Sequence, residues 1–528
     1  MIEERSPSKE QMGFMRLFVT GLMAVSAFFL FAEQNLLSPS LSTVAEEFGF
    51  SNHERDAKIG GHISAGFFLV GGVCGLFFGS LADDSTLTMP RTRLFSIVIC
   101  IGEMGCIGTY FCTSFTELFI CRVITGIAIG GSSPVCYKVL GELWGPSQRV
   151  RVSTLMGLSS SAGGAIGQIT AGYIAPVYGW RTPFLVVAAP ALLCAVALFF
   201  VPETPRPEED AFVYSRYKMV DLEEPGIGSA RVVEDVVVEA GHSSPTKIKG
   251  RAVYGKRELA VKPSLKEAGA GATAGTGAGA GAGALVEAGA GLAPWQQLLL
   301  VSPTALEEAS AKLRDVLESR TALLVYLQGI FGCIPWSILS VFMTDYLAYD
   351  LQMNIHRSSL VMLLFGLGAT VGQVAGGFAG QVLFNKDPVY QVAMIATTCT
   401  LGAIPMLSIV NYEPRETHGL AFYAFFFCGG TLAAVAGPNI RSILQNVTRP
   451  ENRGLAFALY TLADDVGRGG GPFLVSQLIM LFDNRRAAFT VGMLAWVVGG
   501  FLCAMMAYTY KVDVHTTAKY DTGAVNMK

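Results

Sequence analysis

The chain has 528 residues, of which 51% are hydrophobic and 15% are charged, whereas soluble domains carry roughly 25% charged residues. Its formal net charge is −3, so it lacks the basic field that attracts nucleic acid, and nucleic-acid binding is not expected. Together with a mean hydropathy of +0.46, this composition excludes an ordinary soluble domain and predicts an integral, multi-pass membrane protein.

Apolar runs long enough to cross a bilayer core, about 20 helical residues each, recur along the chain. Six runs in the first part of the sequence lie near residues 15–37, 60–82, 94–113, 117–140, 153–176 and 183–201. Six more in the second part lie near residues 321–347, 358–384, 389–410, 418–438, 455–481 and 487–510. The sequence therefore predicts an all-α membrane protein with twelve transmembrane helices, grouped in the two sets 15–201 and 321–510.

The segment 202–302 between the two sets has a different composition. It begins with acidic residues, becomes basic at Lys247–Arg257 and continues with Gly/Ala repeats over Ala268–Gly291. Such a stretch cannot bury enough apolar surface to fold, so we expect a disordered linker.

A helical pattern follows the linker at residues 303–320. A Ser-Pro pair opens this stretch, and Leu306, Leu313 and Leu317 fall on one helical face. We expect either a surface helix or a plain helical lead into the seventh transmembrane helix.

Two short sequence matches indicate that the two sets of helices are parallel repeats. Gly79–Asp83, at the end of the second helix, aligns with Gly376–Gly380 at the end of the eighth. Gly145–Arg149, after the fourth helix, aligns with Arg449–Arg453 after the tenth. Parallel halves predict two six-helix bundles around a central cavity, with a binding site near the bilayer midplane where the halves meet.

Lysine and arginine residues of the short loops indicate the orientation. They are more frequent on the side that carries both ends of the chain, for example at Arg149, Arg151 and Arg453. By the positive-inside rule this side is cytosolic. We therefore expect cytosolic tails at residues 1–14 and 511–528, with the linker on the same side.

Four signatures resemble those of the major facilitator superfamily, over both membrane halves but not over the linker. Gly79–Asp83, followed by Arg91 and Arg93, resembles the family's Gly-x-Leu-Ala-Asp-Arg-x-Gly-Arg sequence. The other signatures are Arg122 with Gly126 and Gly130, the glycines at 163, 167 and 172, and Trp180-Arg181 with Pro202–Arg206. The resemblance implies a secondary transporter that works by alternating access, with Asp83, Arg91 and Arg93 as a conformational latch.

Within that superfamily the chain is similar to spinster-type proteins. The likeness rests on Gln328–Trp336, on the later Asp345 and on the acidic residue in the first helix. It implies a lysophospholipid or sphingolipid substrate. Two positions depart from the superfamily pattern: Gln168 replaces the proline of the antiporter motif, which puts antiport by that route in doubt, and Gly380 replaces the second latch acid.

Ionisable residues inside the apolar runs are the strongest indication of a site, because a charge at membrane depth costs several kcal/mol without a cavity or a partner. Glu33 in the first helix is a candidate for proton coupling or for a structural hydrogen bond to a neighbouring helix. Arg122 in the fourth helix needs an anion, which an acidic residue or a substrate phosphate or carboxylate could supply. Glu103 in the third helix is either such a partner or a packing residue.

Helices seven and eleven supply further candidates. Gln328 and Trp336 in helix seven could contact a substrate, although an aromatic residue in a membrane helix more often packs or faces lipid. In helix eleven, Asp464 and Arg468 have the spacing of an intrahelical ion pair. The glycine-rich stretch that ends at Pro472 would weaken or kink this helix, which favours a gating role.

These residues predict a secondary active transporter, proton-coupled or facilitative, for a small organic or amphiphilic solute. A non-transporting sensor of the same fold that signals through its linker is the alternative. The sequence contains no recognisable metal-ligand cluster, nucleophile elbow or phosphate loop, so an enzyme, a cofactor and a metal are not expected. The 11 cysteines are predicted to be small apolar fillers, and the protein is predicted to be a monomer in the lipid bilayer.

Overall fold

The computed structural model describes residues 9–83, 89–144, 146–201, 303–413, 419–449 and 452–521. All regular secondary structure in these ranges is helical. The predicted disordered linker 202–302 lies outside the described residues. The first helix begins at Lys9 and the last ends at Asp521, so each extends into a stretch that the sequence predicts as a tail.

The first half of the chain folds into six long helices. A capping box of Ser114 and Glu117 fixes the start of the fourth helix. A π-helical turn, Arg55–His62, leads into the second. The six helices are α1 (Lys9–Gln34), α2 (Ile63–Asp83), α3 (Arg91–Phe111), α4 (Phe115–Leu143), α5 (Pro146–Tyr178) and α6 (Thr182–Phe199).

The second half repeats this arrangement after a helix at Pro303–Glu318, which occupies the stretch 303–320 predicted to be helical. Its six long helices are α7 (Arg320–Val341), α8 (Ile355–Lys386), α9 (Pro388–Val410), α10 (Leu420–Ala434, continued by Ala436–Val447), α11 (Arg453–Phe482) and α12 (Arg485–Met493, continued by Ala495–Asp521).

Helix packing shows that the two halves are parallel copies of one bundle. In the first half extensive contacts join α2 to α4, α1 to α5 and α3 to α6. In the second half they join α8 to α10, α7 to α11 and α9 to α12, which are the same positions six helices later. Gly126 and Gly430 lie at equivalent contacts, where a Cβ atom would collide with the neighbouring backbone at Phe67 and Phe365. The predicted twelve-helix fold of two parallel bundles is confirmed.

Ten of the helical segments are long and apolar enough to cross a membrane by length and composition, and α5 and α11 are not among them. Gly163 and Gly167 of α5 pack directly on the backbone of α1, whereas α11 carries Asp464, Asp465 and Arg468. Both helices also contact the other half of the protein, α5 at α8 and α11 at α2. Their small and charged residues are therefore turned toward protein rather than only toward lipid.

The contacts between the halves lie toward one side of the molecule. We call the side on which α1 ends and α2 begins the far side, and the opposite one, on which α1 begins and α12 ends, the terminal side. Near the far side, Gly60 packs against Phe342, and Gly172 of α5 packs against Ser359 of α8. These residues close the space between the halves at the far side.

Candidate functional site

Three ionisable residues predicted from the sequence lie together inside the first half. Glu33 lies near the end of α1, Glu103 on α3 and Arg122 two turns into α4, and each is buried. Glycines beside Glu103 place it there, because Gly102 and Gly105 pack directly on α4. The residues that seemed separate in the sequence therefore form one cluster, which we call the carboxylate cluster.

The geometry of the carboxylate cluster leaves several polar atoms without partners. One carboxylate oxygen each of Glu33 and Glu103 and the Cys106 Sγ lie within 4.8 Å of one another. The Arg122 Nη2 donates a hydrogen bond to the backbone carbonyl of Glu33 at 2.9 Å rather than to its carboxylate. As ionised groups, the Glu33 and Glu103 carboxylates receive no hydrogen bond from the described residues, whereas a proton on one of them would let it donate to the other. Buried polar atoms in this condition are costly unless the site is titrated or occupied.

Charge counting describes what the carboxylate cluster can bind. Two ionised carboxylates and one guanidinium leave one negative charge in a buried space, which one proton or one monovalent cation would neutralise. The two carboxylates and the Cys106 thiol are also metal-ligand types. The adjacent Arg122 guanidinium opposes a divalent cation by like-charge repulsion, so the donor set fits a proton better than a metal.

Arg122 also connects the carboxylate cluster to a cavity between the halves. Its guanidinium lies 5.0 Å from the ring centre of Phe67 and 5.4 Å from that of Phe184. A cavity of about 40 Å³ is lined by Arg122, by the end of α1, by α2 and by Ser340 and Val341 of α7. This space has room for a few water molecules. Arg122 therefore lies between the cavity and the buried carboxylates.

The other predicted site residues lie in the second half. Trp336 packs edge-to-face on Phe365 and Trp496, with ring centres 5.2 Å and 6.0 Å apart. Gln328 is buried near Gly332 of its own helix. Neither residue lies at the carboxylate cluster, and the contacts of Trp336 favour packing.

On α11 the predicted ion pair between Asp464 and Arg468 is not formed. Among the salt bridges of the described residues, none joins Asp464 to Arg468 within 4.0 Å. Asp464 is turned toward Gly329 of α7, whereas Asp465 is turned toward Gly72 of α2 in the other half. The helix continues through Pro472 to Phe482. The gating role of Asp464, Arg468 and Pro472 stays a prediction.

A buried charge network at the far side joins the two halves, and sequence reasoning missed most of it. Arg485 of α12 forms ion pairs with Asp56 of the first half at 2.9 Å and with Asp345 and Asp350 of the second half at 3.0 and 2.7 Å. Arg55 binds Asp56 at 3.0 Å. Little in the sequence indicated this network, because Arg55, Asp56 and Arg485 lie just before, and not inside, the apolar runs from which their helices were predicted.

The same network includes a backbone contact between the halves. The backbone N–H of Ser42 donates to the Asp345 carboxylate at 3.0 Å, and the Ser42 hydroxyl accepts a hydrogen bond from Arg55 at 3.0 Å. Burial raises the pKa of Asp350, which lies outside the membrane-spanning segments, and the ion pair with Arg485 limits that rise. We call Ser42, Arg55, Asp56, Asp345, Asp350 and Arg485 the far-side network.

A further cationic residue, Arg441, was also missed, because the predicted tenth helix ended at residue 438. The structure continues that helix to Val447 and leaves Arg441 exposed. Its positive charge acts on Tyr137 of α4, in the other half, and on Asp464 of α11. Arg441 therefore lies between the halves on the terminal side of Asp464.

The predicted latch is only partly visible. The side chain of Asp83 lies outside the described residues. Arg91 Nε donates to the backbone carbonyl of Ala82 at 3.4 Å, and Arg93 lies over the ring of Phe199 at 5.8 Å. The latch formed by Asp83, Arg91 and Arg93 remains a prediction.

Comparison with solved structures agrees with this fold. A bacterial homologue of the human lysosomal transporter Spinster, in an inward-facing and unoccupied conformation, superposes with a TM-score of 0.60 and 14% identity, covering 97% of this chain and 99% of that one. At this identity the likeness shows the fold alone.

Sequence relatives match over shorter stretches. Citrate exporter 1 of Yarrowia lipolytica is 27% identical over 209 residues, which are 40% of this chain and 29% of the exporter. The cis,cis-muconate transport protein of Acinetobacter baylyi is 27% identical over 172 residues, or 33% of this chain and 40% of that protein. The chain thus spans less than half the length of both relatives. The model of the Major Facilitator Superfamily matches residues 23–297 and 325–525, so the predicted membership is confirmed: this multi-pass membrane protein belongs to the Major Facilitator Superfamily.

Proposed function

We propose that this protein is a secondary active transporter that moves a small organic or amphiphilic solute with an anionic group and couples its movement to protons. The observation that carries the proposal is the position of Arg122, which lines the cavity and also binds the backbone of Glu33 beside Glu103. One guanidinium therefore lies next to both a binding space and an ionisable pair of carboxyls.

The charge balance of the carboxylate cluster suggests how coupling works. When Glu33 and Glu103 share one proton, the remaining carboxylate balances the charge of Arg122. A second proton removes that counter-ion, so the guanidinium attracts an anion from the cavity. Proton and solute then bind together and leave together, which is symport. The absence of the antiporter proline at Gln168 agrees with this direction of coupling.

Alternating access would expose this site to each side of the membrane in turn. The far-side network and the neighbouring packing of Gly172 on Ser359 hold the halves together at the far side. With the termini in the cytosol, this is an inward-facing state. We propose that the opposite state breaks the far-side network and brings Asp83 together with Arg91 and Arg93 at the terminal side.

Two solute classes suit a guanidinium in a cavity of this kind. Carboxylates are favoured by the names of the two sequence relatives, which specify citrate and cis,cis-muconate. A lysophospholipid or sphingolipid phosphate is favoured by the spinster-type resemblance of Gln328–Trp336. Arg122 would bind either head group, because a guanidinium fork suits carboxylate and phosphate oxygens alike.

The test is uptake into proteoliposomes under an imposed pH gradient, with citrate, cis,cis-muconate, a lysophospholipid and xylose offered separately to the wild type and to Glu33→Gln. We expect accumulation of one anionic solute by the wild type and none by the variant. Equal pH-driven accumulation by both proteins would contradict coupling at Glu33. Movement of xylose alone would contradict an anionic solute, and no movement of any solute would favour the sensor alternative.

A further inference from the structure

Two cysteines approach each other at the far-side end of the first half. Cys112 follows directly after α3, and Cys121 lies in the second turn of α4. Their Sγ atoms are 3.7 Å apart. At this distance the two sulfur atoms are in direct van der Waals contact and face each other.

The backbone on both sides of this pair is fixed by other interactions. The Nε and Nη2 atoms of Arg181 donate to the Cys112 carbonyl at 3.0 and 2.7 Å. Gly105 and Gly108 of α3 pack on α4, and a Cβ atom at Gly108 would meet the Cys121 sulfur. The two thiols are therefore held side by side by contacts that do not depend on a bond between them.

A disulfide requires sulfur atoms about 2.05 Å apart, with Cα atoms usually about 4.4–6.8 Å apart. Because Cys112 lies beyond the end of α3, its backbone and side chain can shift toward Cys121 to close the remaining gap without displacing that helix. With cytosolic termini, the far side faces a compartment in which disulfides persist. We propose that Cys112 and Cys121 form an intramolecular disulfide that joins the end of α3 to α4.

The reaction needs an external disulfide as oxidant, for example oxidised glutathione. The Cys121 thiolate attacks it, forms a mixed disulfide and releases one glutathione thiol. The Cys112 sulfur then attacks the mixed disulfide and releases the second glutathione thiol. The protein loses two protons and two electrons, which reduce the external disulfide to two thiols.

The environment of Cys112 predicts which step of disulfide formation is slow. Burial raises the pKa of the Cys112 thiol to about 12, and the neighbouring Cys121 thiol contributes to the rise. Little Cys112 thiolate is present at neutral pH, so closure by Cys112 is expected to be slow there and faster at mildly alkaline pH. Cys121 is the less buried of the two and is the expected point of first attack.

The disulfide would act within the first half only. Both cysteines belong to neighbouring helices of one bundle, so the bond would not hinder movement between the halves. It would fix the helix turn that carries Arg122 directly after Cys121. The expected effects are a more stable first half and unchanged inter-half movement.

The test treats full-length protein with oxidised glutathione at mildly alkaline pH, blocks the remaining thiols and maps peptides under non-reducing conditions. We expect one cross-linked peptide joining Cys112 to Cys121, and a rise in Tm of a few °C on the scale of short-loop disulfides. The Cys112→Ser and Cys121→Ser variants should show neither change. Cys399 and Cys503, a second pair of interacting thiols inside the second half, serve as the matched control and should remain alkylatable after unfolding.

Three results would overturn the proposal. Separate alkylation of Cys112 and Cys121 would show that the thiols do not close. Glutathione retained on Cys121 beside a free Cys112 would show that the second step is blocked. Equal cross-linking of Cys399 to Cys503 would show that closure does not depend on the far-side position.

Discussion

Two buried groups of charges in this protein differ in how their charges are satisfied. In the carboxylate cluster the oxygens of Glu33 and Glu103 receive no hydrogen bond from the described residues while both are ionised, and a proton held between them is what would join them. In the far-side network Arg485 binds Asp56, Asp345 and Asp350 at 2.7–3.0 Å. Both groups are buried, apart from the partly exposed Asp350. The difference fits the proposal that the carboxylate cluster changes its charge, whereas the far-side network holds one arrangement.

The physical reason lies in the cost of buried charge. A buried ion pair loses about 3–5 kcal/mol when one partner is removed, because the other charge remains unpaired. A buried carboxylate without partners instead lowers its cost by binding a proton. Substitutions in the far-side network should therefore lower stability. Substitutions in the carboxylate cluster should instead remove proton coupling.

The largest effect is expected for Arg485→Gln. The substitution leaves Asp56 and Asp345 buried without their cation, so the closed far side should lose about 3–5 kcal/mol. Thermal unfolding should show a lower Tm, and a cysteine placed at Ser42 should become accessible to a thiol reagent from the far side. Arg486→Gln is the matched control, because Arg486 reaches the Tyr412 carbonyl at 3.4 Å and the Tyr346 side chain, which lie outside the far-side network. Similar destabilisation by both variants would contradict a specific role of Arg485 in holding the far side closed.

An intermediate effect is expected for Arg122→Lys. Lysine keeps the charge but loses the planar fork and its stacking between Phe67 and Phe184, so anion binding should weaken by about 1.5–3 kcal/mol, or roughly ten- to a hundredfold. Binding of cis,cis-muconate or citrate by calorimetry measures the change. Unchanged affinity for the transported anion would show that it does not bind at Arg122.

The smallest effect is expected for Asp350→Asn. Because burial raises the pKa of Asp350, its ionised form is less favourable in the folded state than in the unfolded chain. This cost is absent at acid pH and appears as the pH rises through the unfolded value. The variant should therefore match the wild type at acid pH and be equally or slightly more stable at neutral pH, by less than about 1 kcal/mol, since the side chain is partly exposed. A large loss of stability of Asp350→Asn at neutral pH would contradict the expectation that ionised Asp350 does not stabilise the folded state.

The sequence predicted the helices better than the contacts between them. Twelve apolar runs identified the twelve helices, and the isolated charges Glu33, Glu103 and Arg122 identified the residues of the carboxylate cluster. Each of these signals is local. The intrinsic cost of a charge in an apolar run is visible without knowledge of its neighbours.

The far-side network could not be read in the same way. Asp56 and Arg485 are separated by 429 positions in the chain, and both lie at helix starts, where charged residues are ordinary. Arg441 lay beyond the predicted end of its helix. The sequence left Trp336 open between packing and ligand contact; its ring packs on Phe365 and Trp496, and a ligand contact stays a prediction. Contacts of these kinds are visible only in the tertiary packing.

Infrared spectroscopy of the purified protein tests the central claim most directly, because the carbonyl band of a protonated carboxyl group is separate from that of a carboxylate. At neutral pH the wild type should show a protonated carboxyl that persists in Asp350→Asn. The band should disappear in Glu33→Gln and in Glu103→Gln, because a single carboxylate beside Arg122 stays ionised. A band that persists in both glutamine variants would contradict a proton shared by Glu33 and Glu103.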